Sequence, residues 1–220
     1  MSAKKSNKTD IHKKIVSAYM TYVLEHEKRP ASVYKFCKSI EVSEESFYEH
    51  FGSLKNLQTG IWNTFYDNTM EVLSKNKEFE MYSNKDKMLS FFFTIFEVFT
   101  LNRSYLLFSL NENGFMLRNM EQLKGLRTRI KEFARDLIED GNAEKATKFS
   151  RHNPALFSEG AWLQFLFLLK FWSEDSSQGF EKTDVAIEKS VQTVFDVFDN
   201  TPLDSIVDFG KFLYKENMAH

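Results

Sequence analysis

The sequence predicts an all-helical protein. Three observations carry that prediction: only 8 glycines and 3 prolines in 220 residues, apolar residues recurring every three or four positions over long stretches, and 23 phenylalanines on the faces so defined. A β-sandwich or barrel needs turn residues every ten positions or so, and a doubly wound α/β fold needs glycines at its strand–helix turns. Neither supply is here. Hydrophobic residues at 42% and charged residues at 27% are ordinary for a globular chain, and the length suffices for one large domain or two small ones.

Each element has its own local reason. Ile11, Ile15, Ala18, Tyr19 and Tyr22 mark one face of a first helix, which Pro30 stops. Ser32 is an N-cap for Val33–Ser39, barely two turns long. Ser43 is an N-cap for Glu44–Phe51, which Gly52 closes, and Ser53 opens a longer helix from Leu54 to about Lys77. Lys85–Leu101 is crowded with aromatics, and Ser104–Leu110 ends in the turn-like Asn111-Glu112-Asn113-Gly114. Phe115–Glu139 carries an apolar stripe from Met116 and Met120 through Leu123, Ile130, Phe133 and Leu137, and Gly141 ends it. Asn153-Pro154 starts a helix to Trp172, followed by the polar loop Ser173–Gly179. Ile187, Val191, Val194, Phe195 and Phe198 form the apolar face of the next helix, and Thr201-Pro202-Leu203-Asp204 starts a closing one to about Lys215. The expected organisation is three short helices, a linking helix and a larger bundle.

Several classes of function are excluded at this level. A lone cysteine, Cys37, allows no internal disulfide and no all-cysteine metal site, and it reads as a core residue. The first ten residues, MSAKKSNKTD, are polar and basic with no apolar run behind them, unlike a secretory signal. Phe91–Leu101 and Ala161–Trp172 are the most apolar stretches, and each is shorter than a membrane span. A cytoplasmic protein with no membrane partner is expected. The five histidines, His12, His26, His50, His152 and His220, have no paired spacing for zinc. No nucleophile elbow, phosphate loop or dinucleotide fingerprint occurs either. The sequence therefore predicts no enzyme, no metal and no cofactor.

The informative segment is Ser32–Leu57, SVYKFCKSIEVSEESFYEHFGSLKNL. Two short helices joined by a tight turn at Ser39–Val42 have the layout of a helix-turn-helix. Val33, Phe36, Cys37 and Ile40 face Val42, Phe47 and Phe51, clamping the helices at a fixed angle. Such an angle lets the second helix project its first residues into a major groove while the first crosses the backbone.

This stretch resembles the DNA-binding domain of the TetR (tetracycline-repressor-like) family of bacterial regulators. The shared positions are Val42-Ser43 in the turn, Phe47-Tyr48 and His50-Phe51 in and after the second helix, and Gly52-Ser53 at the next start. Ile15–Val23 stands where the family's first helix would be, with Ala18 at its small position. The match covers about a quarter of the chain, and the rest matches in length and helix number. It implies a helix-turn-helix domain over residues 1–52 and an effector-binding and dimerisation domain over 53–220. It implies a homodimeric transcription regulator, a repressor, whose partners are a double-stranded DNA operator, a second copy of itself and a hydrophobic small-molecule effector.

By the same resemblance, Ser32 and Ser43 donate to phosphates as well as capping helices, and Ser46 and Phe47 approach bases. Tyr48 and His50 then touch the DNA backbone, and Lys55 stands one step from the family's phosphate-binding lysine, a position held here by Leu54. Phe47 and Phe51 are equally explained as core, and the two cap serines serve as caps with or without DNA. The local charge is unhelpful to DNA binding. Between Ile15 and Gly60, Lys28, Arg29, Lys35, Lys38 and Lys55 face Glu25, Glu27, Glu41, Glu44, Glu45 and Glu49. Upstream, Lys4, Lys5, Lys8, Lys13 and Lys14 outweigh Asp10, and an arm carrying them could enter the minor groove or simply keep the chain soluble. The acidic second helix leaves an alternative open, a dimeric ligand carrier or adaptor of the same fold that has lost DNA binding.

In the larger domain the family implies an effector site between the middle helices, with Phe92, Phe96, Phe108, Met120, Leu123 and Phe165 as candidates, although plain core explains any one of them. The last long helices imply a two-fold interface through Trp162, Leu166, Leu169, Ile187, Val191, Val194 and Phe198.

Overall fold

The computed structural model describes residues 2–111, 121–143 and 153–200, with side chains over 10–111, 121–140 and 153–198. All regular structure among them is helical. The elements are α1 (Ser2–His26), α2 (Val33–Ser39), α3 (Glu44–Tyr48), α4 (Leu54–Ser74), α5 (Asn84–Thr100), α6 (Arg103–Asn111), α7 (Lys124–Ala143), α8 (Pro154–Glu174) and α9 (Glu181–Asn200). Short 3₁₀ turns at Phe79–Met81 and Gln178–Phe180 precede α5 and α9. The expected closing helix at Thr201–Lys215 lies outside the described residues.

The chain packs as two compact units, one of residues 1–71 and 95–127, the other of 72–94 and 128–220. The boundary falls inside α4, α5 and α7, so these helices belong partly to each. Packing thus divides the chain differently from the division expected at residue 52.

In the first unit α1 buries Ile15, Val16, Tyr19 and Val23, a stripe at i, i+1, i+4 and i+8. The helix begins at Ser2, so the basic residues expected as an arm continue α1 as its first turns. Tyr19 carries its hydroxyl into the core and is matched there: Gln58 Nε2 of α4 donates to it at 2.8 Å. Its ring stands edge-on to Phe36 of α2 and Tyr105 of α6, as aromatic quadrupoles prefer. Below it Trp62, Phe65, Phe96 and Phe99 form a second ring cluster. Gly125 of α7 lies so close to Asn63 of α4 that an added Cβ would stand 2.4 Å from the amide oxygen. A side chain at this position would have to push the Asn63 amide aside.

In the second unit α7 buries Ile130, Phe133, Ala134, Leu137 and Ile138, and Phe91 of α5 packs on Phe133 with ring centres 4.7 Å apart. From Ile130 onward the stripe is the expected one, but the helix begins at Lys124 after a turn at 121–123, where it was expected from Phe115, and it does not stop at Gly141. It runs on to Ala143, because an interior glycine costs only about 1 kcal/mol in a long helix. Asn153 caps α8 by accepting from Ala155 N at 3.1 Å and Leu156 N at 3.2 Å, with Pro154 in the first turn. The helix α9 starts at Glu181, earlier than its apolar face required, and buried Asp175 explains why. One carboxylate oxygen accepts from Ser177 N and Oγ at 2.8 and 2.7 Å, the other from Thr183 N and Oγ1 at 2.9 and 2.7 Å. Those four bonds outweigh the burial and hold the carboxyl down at about 2.

Candidate nucleic-acid interface

Local chemistry builds α2 and α3. Ser32 Oγ accepts from Lys35 N at 3.2 Å, and Ser43 Oγ accepts from Ser46 N at 3.1 Å, each satisfying a donor that the first helical turn leaves open. The turn between them closes as Val42 N donates to Cys37 O at 3.1 Å and Ile40 N to Phe36 O at 3.2 Å. Glu41 pays for the tightness with φ of +53°, a left-handed conformation that residues with a Cβ seldom adopt. Phe36, Cys37, Phe47 and Phe51 are buried beneath the turn, with Phe47 centred 6.3 Å from Phe36 and 5.9 Å from Phe51. Burial, and then nearby Glu44, push the Cys37 thiol upward, which suits its core position.

This geometry sorts the sequence-derived residues. Ser32, Ser43 and Ser46 stand at the helix starts, and the Ser43 hydroxyl also donates to Ser46 Oγ at 3.0 Å. Tyr48 is 52% exposed and presents its ring and hydroxyl to solvent. Phe47 is a correction: it is fully buried, because it is the residue that clamps α3 onto α2, and it cannot approach a base. Lys55 is exposed and paired with Glu121, Nζ to Oε1 at 2.6 Å, which offsets the positive charge expected to face a phosphate. Lys4 and Lys5 lie on α1, and their side chains are outside the described residues. His50 is half-buried after α3, its ring centre 5.7 Å from that of His12 on α1, and both rings lie against Phe51. The sequence reading missed two features here. Tyr34 on α2 is 59% exposed, a large aromatic on the surface with no periodic signal to single it out. The pairing of His12 with His50 is invisible at a separation of thirty-eight residues.

The other two candidate sites fare differently. Phe92 and Phe165 are buried in the second unit, whereas Phe96 and Leu123 are buried and Phe108 is half-buried in the first. Met120 lies outside the described residues. At the last helices, Trp162, Leu169, Ile187 and Val191 are buried within the chain itself, so they are not available to a second copy. Leu166, Val194 and Phe198 are half-buried, and Phe198 sits edge-on to Phe157 at 4.9 Å. The accessible apolar face is rotated from the expected one: Leu163 is 65% exposed, and Phe167 and Val185 about half. They border a groove of about 940 Å³ that Phe171, Ala186 and Val194 also line, with Glu181, Lys182 and Lys189 among its charged residues.

Among the described residues no single helix is long and apolar enough to cross a membrane, and no cluster of three or more His, Cys, Asp or Glu is placed to hold a metal.

Comparison with known proteins agrees with this architecture. The profile of the tetracyclin repressor-like C-terminal domain matches residues 87–213. Among solved structures the chain is similar to a protein of Syntrophomonas wolfei str. Goettingen, provisionally assigned as a TetR-family transcriptional regulator. The two share 16% identity with a TM-score of 0.63, over 88% of this chain and 97% of the other. No curated protein matches the sequence. With the profile covering more than half its length, the chain belongs to the tetracycline-repressor-like (TetR) family, a family of transcription regulators. The likeness to the S. wolfei structure shows that the all-helical fold is shared.

Proposed function

We propose that the protein is a cytoplasmic bacterial repressor that binds a two-fold DNA operator as a homodimer and is released by a hydrophobic effector. The observation that carries the DNA reading is the capped α2–α3 pair, whose buried clamp leaves Ser43, Ser46, Tyr34 and Tyr48 at or near the surface. Hydroxyls of this kind position a protein on phosphates, and the helix starts supply backbone N–H donors beside them. Residues 1–52 form the reading domain, and residues 53–220 the effector and dimerisation domain. The dimer would form through Leu163, Phe167 and Val185 of α8 and α9, since large exposed apolar side chains grouped along a groove mark an interaction surface. Aromatic residues such as Phe92 and Phe165 in one unit and Phe96 and Phe108 in the other support an apolar effector over a phosphorylated one. Ligand in the larger domain would favour a dimer state whose reading helices no longer match half-sites one helical turn apart.

A second reading is supported by Glu45 and Glu49, which are exposed beside α3 and repel phosphate. It makes the protein a dimeric ligand carrier or adaptor that has left DNA. Selection from a random duplex library at low ionic strength separates the two. Enrichment of a two-fold motif supports the repressor, and Glu49→Lys should then strengthen binding to any sequence and steepen the salt dependence by about one unit. No enrichment leaves the adaptor.

A further inference from the structure

We propose that His12 and His50 form a proton-sensitive latch that holds the end of the reading helix α3 against α1. His12 projects from α1 and His50 follows α3, 38 positions later in the chain, yet their ring centres are 5.7 Å apart in a T-shaped arrangement. Phe51 completes the cluster, its ring centre 5.0 Å from that of His12. Phe51 is also the residue whose backbone N–H closes the last turn, donating to Phe47 O at 2.8 Å, while His50 N donates to the same carbonyl at 3.0 Å. The histidine pair thus sits directly on the hydrogen bonds that end α3.

The two rings meet edge to face, and His12 is held toward its uncharged form. Acid changes this, because a charge on His12 is disfavoured both by partial burial and by the neighbouring imidazole of His50. The groups acting on His12 from the packed elements are His50 and, on α4, Asp67. Burial, the largest effect, and His50 hold it below the ordinary 6.5, and Asp67 opposes them without reversing the direction. The sign follows. A histidine whose folded value is depressed takes up protons more readily when its surroundings open, so the latch is fully closed above about pH 6.5 and loosens as pH falls below it. The regulatory consequence rests on the DNA-binding reading: proton uptake would release the seating of α3 and weaken DNA binding. A His50 that merely touched phosphate would instead bind DNA better in acid.

The test uses the full-length protein, compared at pH 7.5 and pH 5.5. Hydrogen-exchange protection of the His50 and Phe51 amides should fall by up to about tenfold more in the wild type than in His12→Phe, which keeps a ring against Phe51 without a charge. His50→Gln provides a second uncharged variant that leaves His12 in place, and should flatten the fall in the same way. Binding to a pool of random duplexes should weaken over the same pH interval in the wild type and less in either variant. Equal loss of protection in wild type and both variants overturns the latch, as does stronger DNA binding in acid. If the wild type binds no duplex at either pH while protection still falls as described, the latch stands and the repressor reading fails.

Discussion

The α2–α3 pair and the α8–α9 pair solve the same packing problem at different scales. The first has helices of 7 and 5 residues, too short to be stable alone, so it depends on two serine caps and a clamp of buried rings. The second has helices of 21 and 20 residues, which meet through Phe157 with Phe195 and Phe198 and through Gln164 with Ser190, and which bury Trp162, Leu169, Ile187 and Val191. What they leave outside differs more than what they bury. The short pair exposes Tyr34 and Tyr48, rings with a polar tip, beside capped serines. The long pair exposes Leu163, Phe167 and Val185, with no polar atom in the side chain. A surface of the first kind suits a wet, charged partner, and one of the second kind suits another protein surface. The lesson is that the residues a single chain leaves unburied say more about partners than the residues that make its core.

The comparison can be broken most forcefully at the clamp. Phe47→Ala should destabilise the protein by about 3–5 kcal/mol, because the cavity it leaves lies under both short helices. Denaturation that shows the α2–α3 signal unchanged would refute the clamp. Next comes Asp175→Asn, which should cost about 1–2 kcal/mol at neutral pH by weakening the bonds to Ser177 and Thr183 that start α9. The sign with pH is set by the depressed carboxyl: its contribution is complete above the ordinary 3.8 and is lost as pH falls through about 2. Acid unfolding followed by circular dichroism should therefore separate wild type from variant less and less toward pH 2.

Ser43→Ala sharpens the contrast at a smaller scale, with an expected loss of about 1 kcal/mol read by chemical denaturation. Hydrogen exchange should place that loss in α3 and leave α8 and α9 as they were. Phe167→Ser should be the mildest for the fold, within about 0.5 kcal/mol, since a half-exposed side chain away from the core carries little of it. Its effect should appear in association instead. Sedimentation should find the wild type dimeric and the variant shifted toward monomer. A variant that stays fully dimeric would move the interface off this face.

Much of the fold was legible because helix starts and stops are local events. Ser32, Ser43 and Asn153 act as caps, and α2 spans the expected Val33–Ser39, since a cap needs only a side-chain oxygen two or three residues from an open N–H. The 3.6-residue period of α7 was equally plain in Ile130, Phe133, Ala134, Leu137 and Ile138. Gly141 misled because a glycine in a long helix can be outweighed by packing on either side. The interface residues Trp162, Leu169, Ile187 and Val191 misled for a different reason. Periodicity reports that a face is apolar and not what covers it, and here the cover is supplied within the same chain.

The sequence by itself therefore determined the helical class, most of the caps and the helix-turn-helix, all of which depend on residues within a turn or two of one another. The tertiary structure alone decided three things. It chose the core reading of Phe47 over the base-contacting one, moved the exposed face of α8 to Leu163 and Phe167, and set His12 against His50. Each depends on which groups cover a side chain, and that is settled only once the helices have packed.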